Sequence, residues 1–132
     1  MMWNDQFLLG IKEIDEQHKK LVGLVEQTKD LVYEAEDGVD CYDDLVIVLK
    51  ELVDYTIYHF NFEENLMESV NYEGLIGHKM EHKIFVKKIS QFMSDDLDEN
   101  QLEKIEQITF FLLDWITKHI LGTDSKYVHL LR

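Results

Sequence analysis

His59 and Glu63 stand four residues apart in this chain, as do His78 and His82, and only a short stretch separates the two pairs. On a helix, side chains at that spacing leave the axis on one face. Imidazole nitrogens and carboxylate oxygens are donors to transition metals, so the chemistry on offer is metal ligation.

The apolar residues say where these faces point. Leu45, Val48, Leu49, Leu52, Val53 and Thr56 recur at intervals of three and four ahead of His59, and Phe60, Glu63 and Met67 extend the stripe. Leu75, Phe85, Val86, Ile89 and Phe92 frame His78 and His82 in the same way. Both pairs are therefore carried inward by the periodicity that buries leucine. A buried, ionised Glu63 among imidazoles costs several kcal/mol without a balancing cation. Either a metal sits there or the carboxyl keeps its proton.

Helices must supply these positions. The chain has 132 residues, no proline and six scattered glycines, and its hydrophobic pattern follows a period of 3.6 rather than 2. That reads as one all-α domain over residues 1–132. An arm from Met1 to Gly10, bearing Trp3 and Phe7, is expected to pack across the helices. The first helix starts between Ile11 and Asp15 and runs to about Asp37, with Ile14, His18, Leu21, Val22, Val25, Thr28 and Val32 inward. Gly38 stops it, and Asp40 or Asp43 can cap a second helix reaching about Val70. The third runs from Tyr72–Leu75 to about Ser94. The fourth follows the acidic link of Asp95, Asp96 and Asp98, turns Leu102, Ile105, Ile108, Leu112, Trp115, Ile116 and His119 inward, and is expected to end at Gly122. A short tail helix from about Asp124 to Leu131 closes the chain.

Four long helices with short links give an up-down-up-down four-helix bundle. In that topology His18, His59, Glu63, His78, His82 and His119 all fall at one end, and Asp124, just past Gly122, can curl over them. Five imidazoles and two carboxylates exceed what one tetrahedral zinc takes, and calcium and magnesium prefer oxygen. Two transition metals fit better. If Glu63 and Asp124 each bridge both ions, the histidines divide three to two. A bridging water-derived oxygen then completes six bonds at one ion and five at the other, so one position stays open. Imidazole accepts several metals, so spacing alone leaves manganese and zinc in play.

The motifs carry a resemblance. Ile14-Asp15-Glu16-Gln17-His18-Lys19, His59 with Glu63-Glu64 and Met67, His78 with His82, and Trp115 through His119-Ile120-Leu121-Gly122-Thr123-Asp124 with Lys126-Tyr127 resemble the hemerythrin family, specifically its single-domain bacterial members. The resemblance covers almost the whole chain and all seven ligand positions. It implies a non-haem di-iron centre with an oxo or hydroxo bridge. By that resemblance His78, His82 and His119 hold the six-coordinate iron, His18 and His59 hold the five-coordinate one, and Glu63 and Asp124 bridge. It also implies reversible O2 binding for carriage, storage or delivery, with no substrate turned over. In the family, O2 takes two electrons from the diferrous pair and the proton of the bridging hydroxide.

Leu21, Phe60, Trp115 and Ile116 each lie a turn or a position from a ligand on an inward face, which makes them candidates for a dry O2 pocket. The histidine-rich shell favours binding over oxidation, because ferritin-like di-iron enzymes use more carboxylates. The alternatives are a di-iron oxidase or peroxidase, or a sensor of O2, nitric oxide or iron. An oxygen-consuming enzyme is the candidate protein partner.

Blander readings apply residue by residue. His18 or His119 alone reads as a core histidine, and Asp124 alone as a helix cap. It is their joint register that points to a site. Glu64 and His129 are expected to face solvent, Cys41 to be exposed or half-buried, and Met67, Met80 and Met93 to fill gaps in the core. The net charge of −14 disfavours nucleic acid and anionic membrane partners. No apolar run approaches the ~20 residues that span a bilayer. The N-terminus lacks the features of a signal peptide, and the single cysteine allows no internal disulfide, so a cytoplasmic location is expected.

Overall fold

A computed structural model describes residues 3–131. Met1 and Met2, the outer end of the expected arm, lie outside the described residues. Four helices make up the fold: α1 (Lys12–Glu36), α2 (Tyr42–Ser69), α3 (Leu75–Ser94) and α4 (Gln101–Lys118). Helix α1 packs on α2 and α4, α2 on α3, and α3 on α4, the neighbour relations of an up-down-up-down bundle. Among the described residues there is no strand, and no helix is long and apolar enough to cross a membrane.

Local chemistry sets the boundaries. The arm carries a single 3-10 turn, Asp5–Phe7, buries Phe7 and Leu9, and is fastened by Asp15, whose carboxylate accepts the N–H groups of Leu9 at 2.8 Å and Gly10 at 3.2 Å. Helix α1 ends at Gly38, whose φ of +84° lies in the left-handed region that a side chain would strain. The Gly38 and Val39 N–H groups bond back to Ala35 and Glu34, satisfying the last carbonyls. Ahead of α2, the Asp40 carboxylate accepts the Tyr42 N–H at 3.1 Å. The apolar stripes meet along the bundle axis, with Ile14, Val25, Leu45, Leu49, Leu52, Ile89, Ile105, Ile108 and Leu112 fully buried.

The fold departs from its sequence reading at Cys41, Met80, Met93 and the stretch after Lys118. Cys41 is fully buried, wedged between helix ends: its N–H donates to the Gln101 side chain of α4 at 2.8 Å, and its thiol faces the Val39 and Leu31 carbonyls. Met67 is core, but Met80 is exposed, because it stands midway between His78 and His82 and so on the far side of the helix. Met93, in the last turn of α3, is partly exposed. Finally, Gly122 does not stop α4, and the tail from Asp124 is not an α-helix. The α-helix instead widens into a π turn over His119–Thr123, followed by 3-10 turns at Asp124–Lys126 and Val128–Leu130.

Candidate metal centre

That π turn positions a key carboxylate. In an α-helix, residues five apart point to different sides, whereas a π turn closes an i to i+5 hydrogen bond and stacks them. Here the Asp124 N–H donates to the His119 carbonyl, so the two side chains share a face. The other helices bring the remaining groups to the same end: His18 from the second turn of α1, His59 and Glu63 from the second half of α2, and His78 and His82 from the first turns of α3. None of the seven is more than 3% exposed.

Their donor atoms form two overlapping groups, each within 4.8 Å: Glu63, His78, His82, His119 and Asp124 in one, and His18, His59, Glu63 and Asp124 in the other. Glu63 and Asp124 belong to both. Asp124 spreads its oxygens between the groups, with Oδ2 at 3.0 Å from His18 Nε2, and Oδ1 at 2.9 Å from His78 Nε2 and 3.1 Å from His119 Nε2. Glu63 Oε1 lies 2.7 Å from His59 Nε2 and 3.8 Å from His82 Nε2. Donors at right angles on one ion, with bonds of ~2.1 Å, sit ~3.0 Å apart, so several of these spacings are those of ligand edges.

Two observations test whether these residues fit a metal. His18 Nε2, His78 Nε2, Glu63 Oε1 and both Asp124 oxygens are buried without a hydrogen-bond partner despite those short separations. They are close but badly angled for one another, as atoms aimed at a common point would be. The outer nitrogens give the second observation. His82 Nδ1 lies 2.8 Å from Glu64 and His119 Nδ1 lies 3.4 Å from Glu81, so in both rings Nδ1 carries the proton that a carboxylate accepts. The two Nε2 lone pairs then face each other at 3.1 Å, which requires a cation between or upon them. His59 Nδ1 is bonded to Gln17 at 2.6 Å, leaving its Nε2 lone pair against Glu63. The donor set fits metal, and its nitrogen-rich mixture suits non-haem iron.

Protons alone satisfy the cluster only in part. Burial pulls His119 down, but the neighbouring Asp124 outweighs it and lifts the imidazole to about 9. His18 is raised in the same way: burial pulls it down, but the close carboxylate of Asp124 outweighs it. His82 goes the other way, pushed to about 2 by burial and then by the charges of His119 and His78. Asp124 falls well below the usual carboxylate range, because the His119, His18 and His78 imidazoles outweigh its burial.

Beside His18 and His59 lies a small cavity of about 10 Å³, room for roughly one water-sized molecule. Leu21, Phe60, Trp115 and Ile116 all line it, joined by Thr56, Phe85 and Ile120. Trp115 stacks on His119 at 4.3 Å between ring centres, and Phe60 stacks on His82 at 3.7 Å, so both aromatics also hold imidazole rings of the cluster in place.

Several groups around the centre escape a reading of the sequence. Glu64 does not simply face solvent, since its side chain is 22% exposed and pairs with His82. Glu81 bonds both His119 and the Thr123 hydroxyl, and Gln17 supports His59. Tyr127 is fully buried and donates its hydroxyl to Glu63 Oε2 at 2.5 Å. Adjacency to a ligand was the available signal for Gln17, Glu64 and Glu81. His129 is exposed and stands outside the centre.

Comparison with known proteins agrees with this geometry. A sequence model described as the hemerythrin HHE cation binding domain matches residues 9–131. A bacteriohemerythrin of Clostridium acetobutylicum is 36% identical over 127 residues, covering 96% of this chain and 98% of that one. A bacteriohemerythrin of Pseudomonas paraeruginosa is 32% identical across 100% of this chain and 82% of its own length. A hemerythrin-like protein of Naegleria gruberi is 31% identical over 95% of this chain and 88% of its own. With a family match across nearly its whole length and a buried histidine and carboxylate cluster at one end of a four-helix bundle, this chain belongs to the hemerythrin family.

Proposed function

We propose that this protein binds O2 reversibly at a pair of non-haem irons, one of which keeps a coordination position open. His78, His82 and His119 would hold one iron, His18 and His59 the other, and Glu63 and Asp124 would bridge them. The observation that carries this reading is the inequality of the two donor groups: they share both carboxylates, yet one has five residues and the other four. When bound, the iron pair supplies the two electrons that O2 uptake draws on.

The chain's own residues do the rest. Gln17, Glu64 and Glu81 hold the Nδ1 protons of His59, His82 and His119, which fixes their tautomers and keeps Nε2 free to ligate. Tyr127 donates to Glu63 and orients its carboxylate. Leu21, Phe60, Trp115 and Ile116 wall a cavity on the four-residue side that admits a small apolar gas and discourages water. Apart from the Thr56 hydroxyl and the Trp115 indole, neither of which titrates near neutral pH, every polar side chain lining that cavity is itself one of the seven donors. This supports binding over turnover, which calls for an acid or base free to move a proton.

Two measurements test the reading. Protein purified without added metal is expected to carry two irons per chain. Reduced without air and then exposed to O2, it is expected to develop a visible absorption that disappears under vacuum. Rapid release of peroxide or of an oxidised substrate would overturn carriage in favour of an oxidase. Zinc or manganese in place of iron would overturn the centre.

A further inference from the structure

Thr56 is 1% exposed, and its hydroxyl has no hydrogen-bond partner. That is unusual for a threonine within a helix, where the hydroxyl ordinarily bonds a carbonyl three or four residues back. Thr28, on the neighbouring helix, does so, donating to the Val25 carbonyl at 2.7 Å. Thr56 instead lines the cavity beside His18 and His59, one turn before His59 on the same face of α2. Outside the donor set the wall is apolar except for the Trp115 indole, and the Thr56 hydroxyl is the buried polar group there that has no partner and that the centre itself does not use.

We propose that the Thr56 hydroxyl is the recognition group of the cavity, donating a hydrogen bond to the small ligand that enters it. It thereby favours, among ligands of a few heavy atoms, those that present a strong acceptor, such as the azide anion, over those of the same size that present none. This assignment rests on the di-iron reading above. It explains why a buried hydroxyl is left without a partner: its partner is the ligand.

Thr56→Val tests it, because valine keeps the branched shape and removes only the donor. In the iron-loaded protein, azide affinity is expected to fall about tenfold, the worth of one hydrogen bond to a charged acceptor. Iron content is expected to stay at the wild-type level. Thr56→Ser, which restores the hydroxyl, is expected to bind azide within about threefold of wild type. A separate readout needs no metal: metal-free Thr56→Val is expected to melt at or above metal-free wild type, because an unpaired buried hydroxyl has been removed. Equal azide affinity in wild type and Thr56→Val would overturn the role of Thr56 alone. So would a Thr56→Val chain that melts well below wild type or does not fold, since the hydroxyl would then serve the helix. Wild type that holds iron but binds no azide would instead overturn the open position, and this assignment with it.

Discussion

Replacing Tyr127 with phenylalanine isolates one hydrogen bond of the centre. The ring stays, and with it the contacts to His78 at 5.5 Å and Tyr72 at 6.0 Å between ring centres. What is lost is the donor 2.5 Å from Glu63 Oε2, in a place where both residues are 0% exposed and no water can substitute. A buried oxygen left without its donor bears the full desolvation penalty of an unmade hydrogen bond, so Tyr127→Phe should destabilise the metal-free protein by about 2 kcal/mol. For a domain of this size that lowers the melting temperature by roughly 6–8 °C. Burial, and then the charges of Glu63 and Asp124, push the phenol far above its usual range, so it remains a donor at any working pH. The loss should therefore be the same from pH 6 to pH 9, a range chosen as roughly where a domain stays folded. Thermal melts followed by circular dichroism and tryptophan fluorescence would measure it, coincident transitions being the check on two-state behaviour. In the iron-loaded protein the metal shares the charge of Glu63, and the loss should shrink. A melting temperature unchanged within about 1 °C in the metal-free protein would refute the reasoning.

Leu21→Asp places a carboxylate in the wall of the cavity and should speed oxidation of the oxygenated protein severalfold by drawing in water and protons. An unchanged decay of the visible band would remove Leu21 from that role. Gln17→Leu takes the acceptor from His59 Nδ1 and should weaken metal at the four-residue group by about 10–100-fold while sparing the other. Chelator competition that strips both metals equally would contradict this. For pH, His119 sits at about 9 in the folded chain against 6.5 when free, so its stabilisation of the metal-free protein is fully present below pH 6.5 and is lost as pH rises through about 9. His82, at about 2, opposes folding once pH falls below 6.5, where the unfolded chain gains a proton that the folded one refuses. Metal-free melting temperature should therefore peak near neutrality, and adding metal near neutral pH should release the His119 proton, visible with an indicator dye in weak buffer.

Much of the centre was legible because its information is local. Helical periodicity turns His59, Glu63, His78 and His82 inward through the same stripe that buries Leu52 and Phe85, and both lie within a few turns of chain. Short links force antiparallel neighbours, and that alone brings His18, His59, His78 and His119 to one level. Gly38 ended its helix where its freedom to adopt a positive φ was needed.

Other features depended on which neighbours met. Met80 and Met93 read as core by type, yet their places on α3 leave them open to solvent, while Cys41 is sealed by Gln101 from a helix sixty residues away. Glu64 stands one position round from Glu63, on a helix shoulder whose surroundings are decided by α3, and there it meets His82. From residue types and spacing alone follow the helices, their inward faces and the gathering of donors at one end, because these rest on interactions within a turn or two of chain. Only the folded molecule decided the rest: the π turn that stacks Asp124 on His119, the outer hydrogen bonds that hold the His59, His82 and His119 rings, and the unpaired hydroxyl of Thr56. Each of those depends on backbone geometry or rotamer choice that distant packing imposes and no local pattern encodes.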